Sequence, residues 1–257
     1  MANSFSAADL RKTLSFPFQS KSGWNHFLIG SALLFANAFI PFIPALLVYG
    51  YFVRLMRNAI HDQPFSMPDW DHWGDLAKDG FRSMVIAFIY LGPGFAVWLG
   101  GFLVYFFVTF FGVIMSESGS ANRTMIQTFP ILLLVGMTVL FGSMFFGWFL
   151  SVLGALPLPV ALAHFVARDK FSAAFDLRVI GKLILADKWG YLLSWVVVMG
   201  LFGLVYIGFF LIYSTFILCA FAYIIVTPFV FYIMLVAAVV FGSFYRDGTL
   251  TSNEELG

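Results

Sequence analysis

His61, Asp62, Asp69, Asp71, His72, Asp75 and Asp79 all fall within positions 61–79 of the chain. Two imidazoles and five carboxylates are the donor types that hold divalent metals. The spacing points elsewhere. A His-x-x-x-His pair on one helical face is absent, and Ser66-Met67-Pro68-Asp69 reads as a helix start with Ser66 as N-cap and proline in the first turn. From there Asp71, Asp75 and Asp79 recur every fourth residue as an acidic stripe, with Trp70, Trp73, Leu76 and Ala77 opposite. An amphipathic helix lying on a membrane surface, its tryptophans in the headgroup layer, accounts for these residues without a metal. Trp70, Asp71, Trp73, Asp75 and Asp79 are then the candidate surface for docking a partner.

A second polar island has the same design with the opposite sign. Phe171, Phe175, Val179, Leu183 and Leu185 supply apolar positions, and Arg178 and Lys182 stand four apart. With Arg168, Lys170 and Lys188 they make a basic surface suited to anionic headgroups, at about 1 kcal/mol per basic residue. A competing reading pairs this basic helix with the acidic stripe of the first island, within the molecule or across a dimer.

Both islands interrupt a chain that is otherwise apolar. Between Arg82 and His164 the only charged side chains are Glu117 and Arg123, and between Lys188 and Arg246 there are none. A charge at the bilayer centre costs about 2.5–3.5 kcal/mol on the insertion scale, so this partition marks a chain whose solvent is lipid. Composition agrees: 61% hydrophobic, 11% charged, with mean hydropathy +0.93, where a soluble domain is about a quarter charged. The 34 phenylalanines suit lipid-facing and helix–helix packing; a site for a flat lipophilic ligand, a quinone or a pigment, is the sharper alternative. A net charge of +1 favours no nucleic-acid partner. One cysteine, Cys219, excludes an intrachain disulfide and a cysteine-ligated cluster.

The elements that must carry the islands are all helical. Residues 1–22 read as a polar N-terminus with a short surface helix, Ser6 to Asp9 fitting a capping box and Leu10, Leu14 and Phe18 recurring at helical spacing. An apolar run from Trp24 to Leu55 would span about 48 Å as one helix against a core of about 30 Å, so Pro41 and Pro44 predict a break. Further breaks are expected at Gly92-Pro93-Gly94, at Gly100-Gly101 and at Pro157 and Pro159, and a turn near Tyr213-Ser214-Thr215. Residues 245–257 read as a disordered polar tail.

Pro41 and Pro44 lead to Arg54 much as Pro157 and Pro159 lead to Arg168, and Asp71-His72-Trp73-Gly74 is answered by Asp187-Lys188-Trp189-Gly190. An internal repeat, with units over 24–115 and 125–244 of a 23–244 membrane domain, follows from that correspondence. Placing residues 54–82 and 168–188 and both termini in the cytoplasm leaves Arg123 as the single basic residue outside, and gives about six membrane segments. The expected fold is an all-α polytopic membrane protein with proline-broken helices and two amphipathic interfacial helices.

Within the apolar runs the residues of catalysis are scarce, and neither a phosphate-binding glycine loop nor a zinc-protease motif is present. No catalytic residue and no cofactor is assigned. Ser143, Gly147, Ser151 and Ala155, every fourth residue, instead form a stripe small enough to admit another helix closely.

Gly50-Tyr51-Phe52-Val53-Arg54, the stretch Met67-Pro68-Asp69-Trp70-Asp71-His72-Trp73-Gly74-Asp75-Leu76 and Asp79-Gly80-Phe81 carry a resemblance. The chain resembles the multi-pass prokaryotic membrane proteins grouped as domain of unknown function 4013, from about Ala7 to Val240. The resemblance implies several membrane helices and a plasma-membrane location, and brings no activity, cofactor or catalytic residue. The functional expectation is a non-enzymatic scaffold or accessory subunit binding the bilayer and a membrane-protein partner or a second copy. The alternative is a permease for a lipid or small hydrophobic solute, which requires a polar cavity at the proline breaks. A membrane enzyme, third, requires several of His61, Asp62, Asp69, His72 and His164 to converge within metal-binding distance.

Overall fold

The computed structural model describes residues 12–19, 21–63, 66–117, 123–214 and 221–254. Every regular element among them is helical: α1 Lys21–Ala36, α2 Ile43–Ile60, α3 Trp73–Glu117, α4 Arg123–Ala155, α5 Leu158–Arg168, α6 Leu177–Ala186, α7 Lys188–Ser214 and α8 Ala222–Glu254, with 3-10 turns at Phe16–Phe18 and Phe171–Phe175. Four stretches are helical, long and apolar enough to cross a membrane: Trp73–Met115, Thr128–Arg168, Lys188–Ser214 and Ala222–Leu250. Helices are the natural form for such runs, because they satisfy each backbone amide within one segment where no water is available.

The chain divides into two compact units, one of residues 1–86 and 159–257, the other of residues 87–158. In the first, α8 is the central element. Helices α1, α2 and α7 all pack on it, and half of its apolar window is buried. Its inward residues, Ile233, Val236, Val239 and Val240 among them, are nearly inaccessible and meet Val48, Leu55 and Met56 of α2 in the same core. Close approach is built from missing side chains. A Cβ on Gly242 would lie 2.8 Å from the Ala59 Cβ, and one on Gly50 of α2 would collide with the Leu76 carbonyl of α3. Gly80 meets the Leu46 carbonyl from the other side of the same crossing.

The second unit is an antiparallel hairpin of α3 and α4, and glycines set its register. Gly94 faces Gly147 and Ser151, Gly101 faces Ser143, and Gly154 faces the Tyr90 carbonyl. A Cβ on Gly147 would lie 2.7 Å from the Gly94 oxygen and 3.1 Å from the Trp98 nitrogen. Small residues are what allow two backbones this near, where dispersion between helices replaces the absent hydrophobic drive. Ser143, Gly147 and Ser151 therefore lie in the hairpin seam, while Ala155 is the last residue of α4. The outer face is phenylalanine: Phe102, Phe106 and Phe110 stack in series one helical turn apart, at 6.3 and 5.7 Å between centroids.

Several local expectations are corrected. The helix of the first island begins at Trp73, not at Ser66, and is no separate surface helix, for it runs on through the apolar stretch to Glu117. It also passes unbroken through Gly92-Pro93-Gly94 and Gly100-Gly101; in an apolar medium a break would leave backbone groups unpaired, which costs more than the one bond Pro93 removes. In the second island α6 starts at Leu177, capped by Asp176, whose carboxylate accepts from the Val179 amide at 3.2 Å. Residues 245–254 are no free tail, since α8 continues to Glu254 and Tyr245 and Phe244 are buried. Of the N-terminal segment, Ser6 to Leu10 lie outside the described residues. Thr13 and Phe16 are buried, and the Tyr232 hydroxyl donates to the Leu14 carbonyl at 2.8 Å.

Candidate functional site

Residues 66–72 lead into α3 outside any helix, and side chains from α2 take the place of helical hydrogen bonds along them. The Tyr51 hydroxyl donates to the Pro68 carbonyl at 2.9 Å. Arg54 donates to the Asp69 carbonyl at 2.8 Å, to the Asp71 carbonyl at 3.2 Å and to the Asp71 carboxylate. Backbone acceptors need partners, and the guanidinium fork serves two of them and a carboxylate at once from one rigid group. The helix therefore starts only where that supply ends, at Trp73, after His72 turns through a positive φ of 51°.

Trp70 is the pivot of this arrangement. Its ring stacks on Tyr51 at 4.1 Å and 13°, and its indole N–H donates to the His26 carbonyl of α1 at 3.0 Å. The His26 imidazole stands 3.2 Å from the Asp69 carboxylate. One side chain thus ties this segment to α1, α2 and, through Phe231 at 6.4 Å, to α8. Stacked rings of this kind contribute about 0.5–1.5 kcal/mol beyond their buried area.

A belt of ion pairs continues outward from it. Arg57 reaches Asp79 at 3.1 Å and Asp169 at 3.9 Å, Arg82 reaches Asp169 at 3.9 Å, and Arg246 holds Asp62. These bridges bring both islands and the end of α8 to one end of the first unit. The bond from Arg54, helped by the charges of Arg54 and His72, holds the Asp71 carboxyl below its usual range.

The five proposed docking residues thus separate. Trp70 is buried at 9% exposure and belongs to the pivot. Asp71 precedes the helix, so it shares no stripe with Asp75 and Asp79 and is held by Arg54. Asp79 is paired with Arg57. Trp73, at 46% exposure, and Asp75 face outward. The pairing between islands also takes the opposite sense to the one weighed from sequence: an acid of the second island, Asp169, meets arginines of the first. His61 bonds the Arg57 carbonyl at 2.8 Å, and among the described residues no three of His, Cys, Asp and Glu could hold a metal ion.

The residues that converge here, Gly50, Tyr51, Arg54, Pro68, Asp69, Trp70, Asp71 and Gly80, are those through which the sequence resembles a known family. Residues 33–214 match the family described as a protein of unknown function, DUF4013. The chain belongs to that family. Among curated proteins and solved structures nothing matches it. The matched region of this DUF4013 chain takes in the whole pivot segment and stops before α8. Arg54 and Tyr51, counted in the sequence as a helix end and its charge, are the residues that sequence reasoning missed as organisers; only their position one turn apart facing a proline-containing loop could have suggested it. Tyr245, assigned to a tail, was missed as well: its hydroxyl lies 2.7 Å from the His164 Nδ1.

Proposed function

We propose that this DUF4013 protein is a non-enzymatic scaffold or accessory subunit of a membrane complex, docking a partner's membrane helix on α7. The observation that carries this is the state of its glycines. At Gly200, Gly203 and Gly208 an added Cβ would meet nothing among the described residues, whereas Gly50, Gly80, Gly94 and Gly147 are each filled by a neighbouring backbone. A glycine inside a helix costs roughly 0.5–1 kcal/mol relative to alanine. The close approaches justify that cost at those four positions. On α7 nothing among the described residues does, and a small-residue notch is what a second helix packs into. Trp73 and Asp75 add a polar contact at the charged end.

The same reading orients the protein. The ion-pair belt brings residues of both islands and Arg246 to one end, and the excess of Lys and Arg there supports a cytoplasmic placement of that end at a plasma membrane. Helices α1 and α2, about 24 and 27 Å long at 1.5 Å per residue, enter from this end and return as a re-entrant hairpin. Phe39 and Phe42, at 72% and 70% exposure, form its tip. With the four longer helical stretches they make six membrane segments.

The test is purification in mild detergent from native membranes, with mass spectrometry of what stays bound. A stoichiometric membrane protein retained by the wild type and lost from the Gly200→Leu/Gly203→Leu variant, with the thermal melt unchanged, supports docking on α7. Equal retention by both, or a chain that emerges alone, overturns it. Emergence with a lipophilic solute in place of a protein moves the function to the permease.

A further inference from the structure

The polar end of the first unit holds a cleft of about 430 Å³ between the end of α5 and the start of α6, lined by His164, Arg168, Lys170, Ser172, Asp176 and their neighbours. The geometry points to a binding site for the phosphodiester headgroup of one anionic phospholipid. It goes beyond helix docking and shares with that reading only the membrane placement of the charged end.

His164 is the built element. Its side chain is 95% withdrawn from solvent, at 5% exposure, yet it lines the cleft. Nδ1 is taken by the Tyr245 hydroxyl at 2.7 Å, which fixes the ring. Nε2 makes no hydrogen bond among the described residues, and His164 lines the cleft. With the tyrosine O–H donating to Nδ1, the neutral imidazole carries its hydrogen on Nε2, a donor toward a ligand oxygen.

Charge selects the ligand. Arg168 and Lys170 bring two positive charges and Asp176 one negative, leaving one positive charge to match a phosphodiester monoanion. Asp176 is already engaged as the cap of α6 through Val179. Asp169, next in the chain, turns away through a φ of 50° to stand 3.9 Å from both Arg57 and Arg82, which keeps it from neutralising Arg168. Guanidinium, ammonium, hydroxyl and imidazole N–H are donors only or donors by rotation, the complement of phosphate oxygens.

The surroundings select a lipid over a free phosphate. Leu177, next in the chain to Asp176, stands 63% exposed, and Ala173 and Val179 form part of the cleft wall. Apolar surface touching a cationic pocket at the end of a helical stretch long enough to cross a membrane is what acyl chains leaving a bound headgroup require.

The test is native mass spectrometry of the full chain in detergent, titrated with dioleoyl phosphatidylglycerol. One lipid should be retained above the nonspecific series. At about 1 kcal/mol per basic residue, replacing both cations in Arg168→Gln/Lys170→Gln should lower its affinity about thirtyfold. The exposed single change Lys170→Gln should lower it severalfold and leaves the helices untouched. The control Arg178→Gln/Lys182→Gln removes equal charge from α6 outside the cleft and should change little. An equal loss in both pairs means diffuse attraction and overturns the site, as does no loss in either. If soluble glycerophosphoglycerol displaces the lipid at equal concentration, the acyl contacts contribute nothing and the lipid assignment fails.

Discussion

Trp70 shows how much one buried side chain can hold. It fills the space between Tyr51 and Phe231 and closes a hydrogen bond to α1. Trp70→Ala should destabilise the protein by about 3–5 kcal/mol, the range for truncating a buried tryptophan, measured as a loss of melting temperature in a fixed detergent. Trp73→Ala, at a half-exposed ring, should stay within about 0.5 kcal/mol of wild type. Asp71 makes a different prediction. Its carboxyl is half exposed, and its folded pKa is held down, first by the Arg54 bond. A depressed acid contributes stability above its unfolded pKa, and loses it as pH falls through the folded value. The tie is therefore complete at neutral pH and opens only below the ordinary carboxylate range, about 3.9. Carbon-13 NMR titration of Asp71 should give a midpoint below that value, and Arg54→Gln should move it upward; an unmoved midpoint would deny the arginine its role.

At the scale of elements, glycines divide into those that are filled and those that are not. Gly50→Ala drives a methyl into the Leu76 carbonyl of α3, and because that neighbour is backbone the helices must part. About 1–3 kcal/mol of destabilisation is expected, as for other overpacked sites. Gly181 on α6 meets nothing among the described residues, so Gly181→Ala should raise stability by up to about 1 kcal/mol through helix propensity. Chemical denaturation of the two variants side by side checks both signs. The long apolar helices were legible in the sequence from charge-free length alone. Their starts were not. Pro68 and Ser66 offered an N-cap that local rules favour, and Arg54 and Tyr51, distant in sequence, outbid it with three carbonyl contacts and a stacking partner.

For the whole molecule the ion-pair belt makes a topological prediction. Asp62, Ser172 and Asp247 lie on three separate stretches, linked to one end through Arg246, Arg57 and Arg82. In a Cys219→Ser background, cysteines placed singly at 62, 172 and 247 should all react with a membrane-impermeant maleimide from the same side, the cytoplasmic one. Labelling of any one from the opposite face would break the belt as a guide to orientation.

What the sequence determined by itself was the class of element: charge cannot be hidden in hydrocarbon, so its absence over long runs marks helices long and apolar enough to cross a membrane. It also carried the family, through a motif whose residues are spread over two helices and a loop. Only the tertiary structure decided what that motif is for, because hydrogen bonds from Arg54 and Tyr51 to carbonyls about fifteen residues away leave no periodicity to read. Likewise the pairing of His164 with Tyr245, 81 residues apart, turns an apparent tail into part of the core. Contacts between distant residues depend on shape and not on spacing, and shape exists only once the helices have packed.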